Sequence, residues 1–417
     1  MSATDGSVQP LRNPRFMRLW LGQAVSELGD GMTGIALLVL VDRIAGTASA
    51  IATLSILTML PQLALGLHAG VFVDRWDRRR VMIVSDLVRG TLVAALIFVQ
   101  GSGELAWVYV LAIGQAAAGV FFEPARSAFL PLLLAPDNLL AANSLGQTTR
   151  VVCLSAGAAL AGLLLALPAG SRLVFALDAL SFVFSAVMLW SIQIAARANP
   201  SPDSTGRLQP SARSVTAELG TGLRLLFGNR ILVGVFVTIA ITLLGTSAVS
   251  VLFVPFVLHD LGASTSAVGF VRVAQTLGIV AGGALLAGPA ARLAPGTALG
   301  LGIVALGPLF AMIGLAPSWP ALLPLFALMG LASSAIQAGT ATLLQHAVPD
   351  QARGRAESTL DTLLVAVMLV GMAVAGAAGD RFGARSVFFA AGAFAVAGGL
   401  ACHASLRTRE RVEQMSS

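Results

Sequence analysis

Apolar runs of about twenty residues recur along this chain, and each is long enough to cross the hydrocarbon core of a membrane as a helix. Glycine, proline and charged residues separate them. Only 11% of the 417 residues are charged, whereas a water-soluble chain carries about 25% because its surface faces water. The sequence therefore predicts an all-α polytopic membrane protein and excludes a water-soluble globule.

Twelve such segments result when the chain is cut at these breaks. They run approximately over residues 16–41, 46–72, 81–101, 105–128, 139–167, 172–195, 231–257, 264–290, 296–317, 320–345, 355–378 and 383–405. The longest polar stretch, between segments six and seven, is rich in Pro, Ser and Arg and has too little apolar area to fold alone. We expect an N-terminal six-helix bundle at 1–195, a cytoplasmic linker at 196–230 and a C-terminal six-helix bundle at 231–417.

An internal repeat supports this division, because a duplicated bundle places equivalent features at one offset. Three pairs of landmarks in equivalent topological positions lie 213 residues apart. They are Pro136-Asp137 with Pro349-Asp350, Gly170 and Arg172 with Gly383 and Arg385, and Gly70 and Arg79 with Gly283 and Arg292. The pattern predicts a parallel 6+6 repeat.

Arginine placement predicts the orientation of the chain in the membrane. All 26 basic residues are Arg, and the net charge is +6. With the N terminus inside, eighteen arginines lie on the cytoplasmic side and four outside, as basic residues near span ends stay inside during insertion. We expect both termini to be cytoplasmic, and we expect the surplus charge to anchor loops rather than to bind nucleic acid.

The loop after the second segment combines a small residue, an acid and an arginine cluster. It reads Gly70-Val-Phe-Val-Asp74-Arg75-Trp-Asp77-Arg78-Arg79-Arg80. This resembles the loop motif of the major facilitator superfamily, G-x-x-x-D-R-x-G-R-R, with Asp77 where glycine is usual. A small residue permits close helix approach, and an acid favours the positive end of a helix in the other half. The arginines can then pair with acids and close the inward side, whereas plain positive-inside anchoring is the alternative.

Further segments resemble the macrolide-efflux and enterobactin-exporter type of drug:proton antiporter in that superfamily. They are the opening Asn13 to Asp30, Glu123-Pro-Ala-Arg126 with Leu130-Pro131, Ala142-Asn-Ser-Leu145 and Val348 to Arg355. The resemblance implies twelve helices in two bundles that rock against each other and an exporter driven by protons. In two places the chain departs from the pattern: Ala287 stands at the second-half equivalent of Asp74, and the fourth segment lacks a buried arginine near Gly114.

Two acids in the first segment are the candidates for proton coupling. Glu27 and Asp30 are three residues apart and share a helix face. Two carboxylates this close in a low-dielectric cavity repel, so that one of them takes up a proton readily. Asp30 is the first choice because it lies deeper along the helix. Alternatively, one of the two pairs with an arginine such as Arg150 and only holds helices together.

Other charged residues predict a cytoplasmic gate. Asp86 and Arg89 are three apart and suggest a local ion pair that serves the loop, and Glu123 with Arg126 invites the same interpretation. The predicted gate comprises Gly70, Asp74, Arg75, Arg78, Arg79, Asp86, Arg89, Glu123, Arg126, Glu357 and Asp361, with the last two as partners for Arg78–Arg80. We expect Arg150, Met32, Phe121 and Phe253 to line the substrate cavity. Asp178 and Arg272 are single charges without a partner visible in the sequence.

Together these features predict a monomeric secondary transporter of the bacterial inner membrane. It exports a small apolar or amphipathic, macrolide-like compound in exchange for protons and needs no cofactor or metal. The chain has no Walker loop, zinc signature or nucleophile elbow, so we expect no enzyme activity. Two alternatives stay open: an exporter of a siderophore, lipid or metabolite with the same fold, and a non-transporting membrane scaffold or sensor, against which the acids within the spans argue.

Overall fold

A computed structural model of the chain describes residues 10–99, 101–193, 224, 227–228, 230–288, 295–347 and 350–416. The predicted linker at 196–230 lies almost entirely outside these residues, and so do the side chains of Asp74, Glu357 and Asp361. All regular secondary structure in the described part is helical. The helices form two compact units; the bundle boundaries at 195 and 231 stay a prediction.

The first unit contains seven helices that surround a polar interior. They are α1 (Pro14–Ala45), α2 (Ala48–Arg75), α3 (Arg78–Leu96), α4 (Leu105–Val120), α5 (Phe122–Phe129), α6 (Pro136–Leu164) and α7 (Gly170–Trp190). The start of α2, within Thr47–Thr53, belongs to the second unit, and Ser264–Gly269 belongs to the first. Within the first unit α1 packs against both α6 and α7, and α3 packs against α7.

The second unit contains the remaining long helices. They are α8 (Arg230–Pro255), continued by a π-helical turn at Phe256–Asp260, α9 (Thr265–Ala287), α10 (Pro295–Leu315), α11 (Leu322–Ala347) and α12 (Asp350–Ser416). Gly383 interrupts α12 with a φ of 77°, a conformation that glycine adopts without steric cost. The α12 segment is therefore two helices joined at Gly383.

Ten helical segments of the described residues are long and apolar enough to span a membrane. α3 is not among them, because three arginines at its start together with Asp86 and Arg89 lower its hydropathy. The last of the ten, Thr362–Val396, contains the break at Gly383. When α3 and both parts of α12 are counted, the described helices agree with the predicted twelve spans.

Helix boundaries repeat at the predicted offset. The first turn of α6 contains Asp137, and α12 begins 213 residues later at Asp350. α7 begins at Gly170, and the break in α12 at Gly383 is again 213 residues further on. The 6+6 repeat is thus visible in where the helices begin and break.

Close helix contacts at glycine occur in both units. A Cβ on Gly31 or Gly157 would overlap a backbone carbonyl across the α1–α6 contact. Likewise, a Cβ on Gly278 or Gly330 would overlap a backbone carbonyl across the α9–α11 contact. Small residues of this kind let the backbones of membrane helices approach, which stabilises the pair by packing.

Asn13 forms hydrogen bonds that connect the start of α1 to another segment of the first unit. Its carboxamide oxygen accepts a hydrogen bond from the N–H of Arg15 at 2.9 Å and caps α1, while its Nδ2 donates to the carbonyl of Leu133 at 2.7 Å. Phe16 and Phe129 are buried in the adjoining apolar cluster. These contacts fix α1 relative to the segment that follows α5, and α1 carries the residues of the candidate site.

Candidate functional site

A cavity of about 600 Å³ lies inside the first unit, bordered chiefly by α1, α2, α4 and α6. Its polar lining consists of Gln23, Ser26, Glu27, Asp30, Thr33, Ser55, Thr58, Gln62, Arg89, Gln115, Glu123 and Arg150. Leucine, alanine, valine, phenylalanine and glycine residues form the rest of the wall. A cavity of this size, lined by polar and apolar side chains together with a few charged groups, suits a small organic molecule.

Asp30 and Arg89 form the ion pair at the centre of this lining. Nη2 of Arg89 donates to both carboxylate oxygens of Asp30, at 2.7 Å to Oδ1 and 2.6 Å to Oδ2. Gln115 adds a longer contact, 3.5 Å from its Nε2 to Asp30 Oδ1. Both side chains are mostly buried, with 24% of Asp30 and 13% of Arg89 exposed. The pair joins α1 to α3 by a charge-assisted hydrogen bond, the strong class of such bonds.

A second carboxylate, Asp86, lies behind Arg89 and away from the cavity. Its Oδ1 is 3.8 Å from Arg89 Nη1, and the residue is completely buried. The hydroxyl of Ser185 lies next to its carboxylate. Arg89 also stacks on Phe182, with its Cζ 4.2 Å from the ring centroid.

A third carboxylate, Asp178 on α7, completes the group. It is completely buried, accepts a hydrogen bond from Ser181 Oγ at 3.1 Å, and interacts electrostatically with Asp30 and Arg89. Gly29 makes room for it, since a Cβ there would overlap the Asp178 carboxylate. Asp30, Asp86, Arg89 and Asp178 are called the charge cluster below. Three carboxylates in this cluster share one guanidinium.

Glu27 faces the same cavity one helical turn before Asp30. The cation that interacts most strongly with it is Arg150, followed by Arg126. Arg126 is itself paired with Glu123, through its Nε at 3.1 and 3.2 Å and also through Nη2. Arg150 is therefore the main counter-charge of Glu27, whereas Asp30 forms its ion pair with Arg89.

Two arginines, Arg79 of the arginine-rich loop and Arg18 on α1, cap the C-terminal end of α7. Arg79 donates from Nε to the carbonyl of Leu189 at 2.9 Å and from Nη2 to that of Trp190, and Arg18 donates to the carbonyl of Ser191 at 2.8 Å. Cations are favoured at the C-terminal end of a helix, where carbonyls lack partners. These contacts show that two arginines bind the end of α7; the predicted pairing of Arg78–Arg80 with Glu357 and Asp361 involves side chains outside the described ones.

Among the described side chains of the second unit, Arg272 is a partly buried cation of a different kind. Arg272 on α9 donates to Oε1 of Gln275 at 3.1 Å, and its Cζ is 4.8 Å from the ring centroid of Phe253. None of the ion pairs among the described side chains involves Arg272. A neutral hydrogen-bond acceptor and an aromatic ring thus surround it.

Residues predicted to line a substrate cavity are found in different places. Arg150 lines the cavity described above, whereas Met32 is buried at the α1–α6 contact and Phe253 in the core of the second unit. Phe121 lines a separate groove on α3 and α4, and its neighbour Phe122 lines the cavity instead. Sequence periodicity does not distinguish cavity-lining residues from residues packed between helices, because a membrane helix is apolar on most of its faces.

Sequence reasoning missed the association of Asp178 and Gln115 with Asp30, and it missed the stacking of Arg89 on Phe182. The spacing of Asp86 and Arg89 correctly indicated that they are neighbours, but it did not reveal that Arg89 is directed towards α1. A signal was present in Asp178: a lone acid within a span costs about 2.5–3.5 kcal/mol and therefore requires a partner on another helix.

Comparison with known proteins identifies the family. Residues 5–417 match the family described as transmembrane secretion effector, MFS_3. The chain belongs to this family. Its members are membrane transporters, and the resemblance to the drug-efflux branch of the major facilitator superfamily is confirmed; the chain is a multi-pass membrane transporter and not an enzyme.

Two named relatives extend over nearly the whole chain. Macrolide efflux protein A of Streptococcus pyogenes is 24% identical over 402 residues, which cover 93% of this chain and 95% of the relative. Multidrug efflux pump Tap of Mycobacterium tuberculosis is 27% identical over 392 residues, which cover 91% and 90%.

Solved structures share the fold. The nucleoside transporter NupG superposes with a TM-score of 0.72 at 12% identity and covers 94% of this chain and 98% of its own. A bacterial homologue of the human lysosomal transporter Spinster, inward-facing and unoccupied, gives 0.71 at 14% identity with 98% of each chain covered. Family membership and these superpositions agree with an all-helical transporter fold, and twelve spans are consistent with it.

Proposed function

We propose that this transporter exports a small apolar or amphipathic compound in exchange for protons, and that the charge cluster of the first unit carries the proton. The observation that supports this is the arrangement of Asp30, Asp86 and Asp178 around Arg89. Fully ionised, the cluster has a net charge of −2 in a mostly buried place. Burying unbalanced charge is costly, so the cluster is most stable when it holds at least one proton.

Asp30 is the group that exchanges this proton with the cavity. It is the carboxylate of the cluster that lines the cavity, whereas Asp86 and Asp178 are completely buried. Protonation of Asp30 neutralises the partner of Arg89 across the α1–α3 contact. The guanidinium then interacts mainly with Asp86 and Asp178, so the proton changes how strongly α1 is held to α3.

Glu27 is the second acid of the pathway. It lies on the same face of α1, and Arg150 is its main counter-charge, with a smaller contribution from Arg126. We infer that Glu27 and Arg150 set the charge of the cavity that a cargo meets. In the rocking mechanism of such transporters, one bundle moves against the other around a binding site near the membrane midplane. A proton on Asp30 favours one of the two states and a bound cargo favours the other.

The names of the relatives support a drug-like cargo, since one is a macrolide efflux protein and the other a multidrug efflux pump. The position of the arginines supports an inner-membrane protein with both termini in the cytoplasm. We propose a monomer. An exporter of a siderophore, lipid or metabolite differs in cargo alone, and growth protection against a single endogenous compound instead of several drugs would favour it.

Replacement of Asp30 tests the proposal. Asp30→Asn keeps the shape of the side chain and removes its charge. Uptake of a macrolide such as erythromycin into everted vesicles, which corresponds to export from the cell, should then no longer respond to ΔpH. Exchange of cargo in the absence of a gradient should persist, because it needs no net proton movement. Asp137→Asn is the matched control, since this carboxylate is exposed on the first turn of α6. Export by Asp30→Asn that still follows ΔpH would remove Asp30 from the coupling role.

A further inference from the structure

A groove of about 600 Å³ runs along the outer surface of the first unit, from the start of α3 to the end of α4. Arg75 and Arg80 lie at one end, and the floor is apolar, with Val84, Val88 and Phe121. It shares none of its lining residues with the cavity that contains the charge cluster. The proposed transport function therefore leaves this groove unexplained.

The charged end of the groove is positive and open. The Arg80 side chain is 85% exposed, and its only ion-pair partner among the described side chains is Asp77, at a long 3.9 Å. Asp77 is already used to cap α3, because its Oδ1 accepts the N–H of Arg80 at 3.0 Å. Arg75 is exposed and has no ion pair within the described side chains. Two guanidinium groups and one carboxylate give this end a net charge of +1.

The apolar part of the groove continues from this end along α3. Val84 and Val88 are 58% and 42% exposed, and with a rise of about 1.5 Å per residue Val88 lies about 12 Å along α3 from Arg80. Ser85 Oγ donates to the carbonyl of Ala118 at 2.8 Å, which joins α3 to α4 and closes the floor. Trp76, at 58% exposure, stands at the charged end, where tryptophan is enriched at membrane–water interfaces.

We propose that this groove binds an anionic phospholipid, with the phosphate between Arg75 and Arg80 and one acyl chain along Val84, Val88 and Phe121. Arginine forms paired hydrogen bonds with phosphate oxygens, and basic residues at the membrane surface attract anionic headgroups. The groove joins a cationic end at headgroup level to an apolar surface directed into the hydrocarbon. A soluble phosphate compound would contact only the cationic end. A zwitterionic lipid would fit the apolar surface, but its headgroup has no net negative charge to match the arginines.

Trp76 supplies a local probe of the bound lipid. Full-length protein is reconstituted in phosphatidylcholine nanodiscs that contain a minor fraction of either phosphatidylglycerol or phosphatidylcholine with brominated acyl chains. The difference in fluorescence quenching between the wild type and Trp76→Phe isolates Trp76 from the other tryptophans. We expect brominated phosphatidylglycerol to be preferred about tenfold over brominated phosphatidylcholine, since two arginines attract its headgroup.

Charge variants define the site. Arg75→Gln combined with Arg80→Gln should abolish the preference, and Arg75→Lys with Arg80→Lys should keep most of it. Arg15→Gln is the matched control, because Arg15 is exposed at the start of α1 and lies outside the groove. All variants are first compared by melting temperature, so that a loss of preference is read only from folded protein.

Three results would overturn the proposal. Equal quenching by the two brominated lipids in the wild type means that the groove holds ordinary annular lipid. An unchanged preference in the double glutamine variant means that other residues select the headgroup. Suppression of the preference by soluble glycerol phosphate means that the arginines bind phosphate without the lipid chain. None of these results depends on proton coupling, so they leave the transport proposal unaffected.

Discussion

The two units have the same helical framework but opposite chemistry at equivalent positions. In the first unit Asp30, Asp86, Arg89 and Asp178 form the charge cluster. The residues 213 positions further on in the second unit are Leu243, Leu299, Gly302 and Ala391. Leu299 is buried together with Ile239 and Ile303, and Leu243 packs against them.

Helix packing in this fold does not require charged residues at these positions. The second unit shows that an apolar cluster satisfies the packing of the framework, so the carboxylates of the first unit are not needed to build it. A buried ion pair is weak support for stability because desolvation offsets its attraction. This contrast supports the proposed role of these charges in transport.

Removing the single cation of the charge cluster should have the largest effect on stability. Arg89→Met leaves three carboxylates without a counter-charge, and breaking a buried pair in this way costs about 3–5 kcal/mol of the free energy of unfolding. Thermal unfolding in detergent measures the loss. A quadruple variant with Asp30→Leu, Asp86→Leu, Arg89→Met and Asp178→Leu makes the site apolar, as in the second unit. The quadruple variant should regain most of the melting temperature that Arg89→Met loses, but it should not regain proton-driven export.

If the Arg89→Met protein were as stable as the wild type, Arg89 would not be needed to balance the three carboxylates.

Close glycine contacts should be equally important in the two units, because they belong to the shared framework. Gly31→Ala and Gly278→Ala each place a Cβ against a backbone carbonyl, and such overpacking typically costs about 1–3 kcal/mol. Gly34→Ala and Gly300→Ala are matched controls, since a Cβ at either meets no atom within 4 Å. The controls should be neutral or slightly stabilising in the same unfolding measurement. Equal melting temperatures for contact and control variants would show that these approaches are not tight.

The partly buried cation of the second unit should matter least. Arg272→Met removes a guanidinium that pairs with Gln275 and Phe253 but with no carboxylate among the described side chains. No partner charge is left uncompensated, so stability should change by less than about 1 kcal/mol. The ΔpH dependence of export, measured in vesicles, should be that of the wild type. A loss of coupling in Arg272→Met as large as in Asp30→Asn would remove the asymmetry between the two units.

Much of the architecture follows from local patterns in the sequence. Span length and the 213-residue offset are read directly from the sequence, and they predicted the helices and their repeat. The loop motif from Gly70 to Arg80 and the segment from Asn13 to Asp30 correctly predicted the family. The spacing of Glu27 and Asp30 placed both on the face of α1 that lines the cavity.

The partners within the site depend on contacts between helices far apart in the chain. Arg89 is 59 residues from Asp30, and Asp178 reaches the cluster only because Gly29 lets α7 approach α1. Neither contact leaves a spacing that can be read from the sequence. Arg150 was accordingly the available counter-charge for Asp30, and the structure provides Arg89 in its place.

Direct detection of released protons tests whether the charge cluster gives up a proton when cargo binds. Purified protein in weakly buffered detergent is mixed with erythromycin, and a pH-indicator dye reports the protons released. The wild type and the Asp137→Asn control should release protons as the cargo binds, whereas Asp30→Asn should bind the cargo and release none. Equal proton release from Asp30→Asn and the wild type would contradict the account.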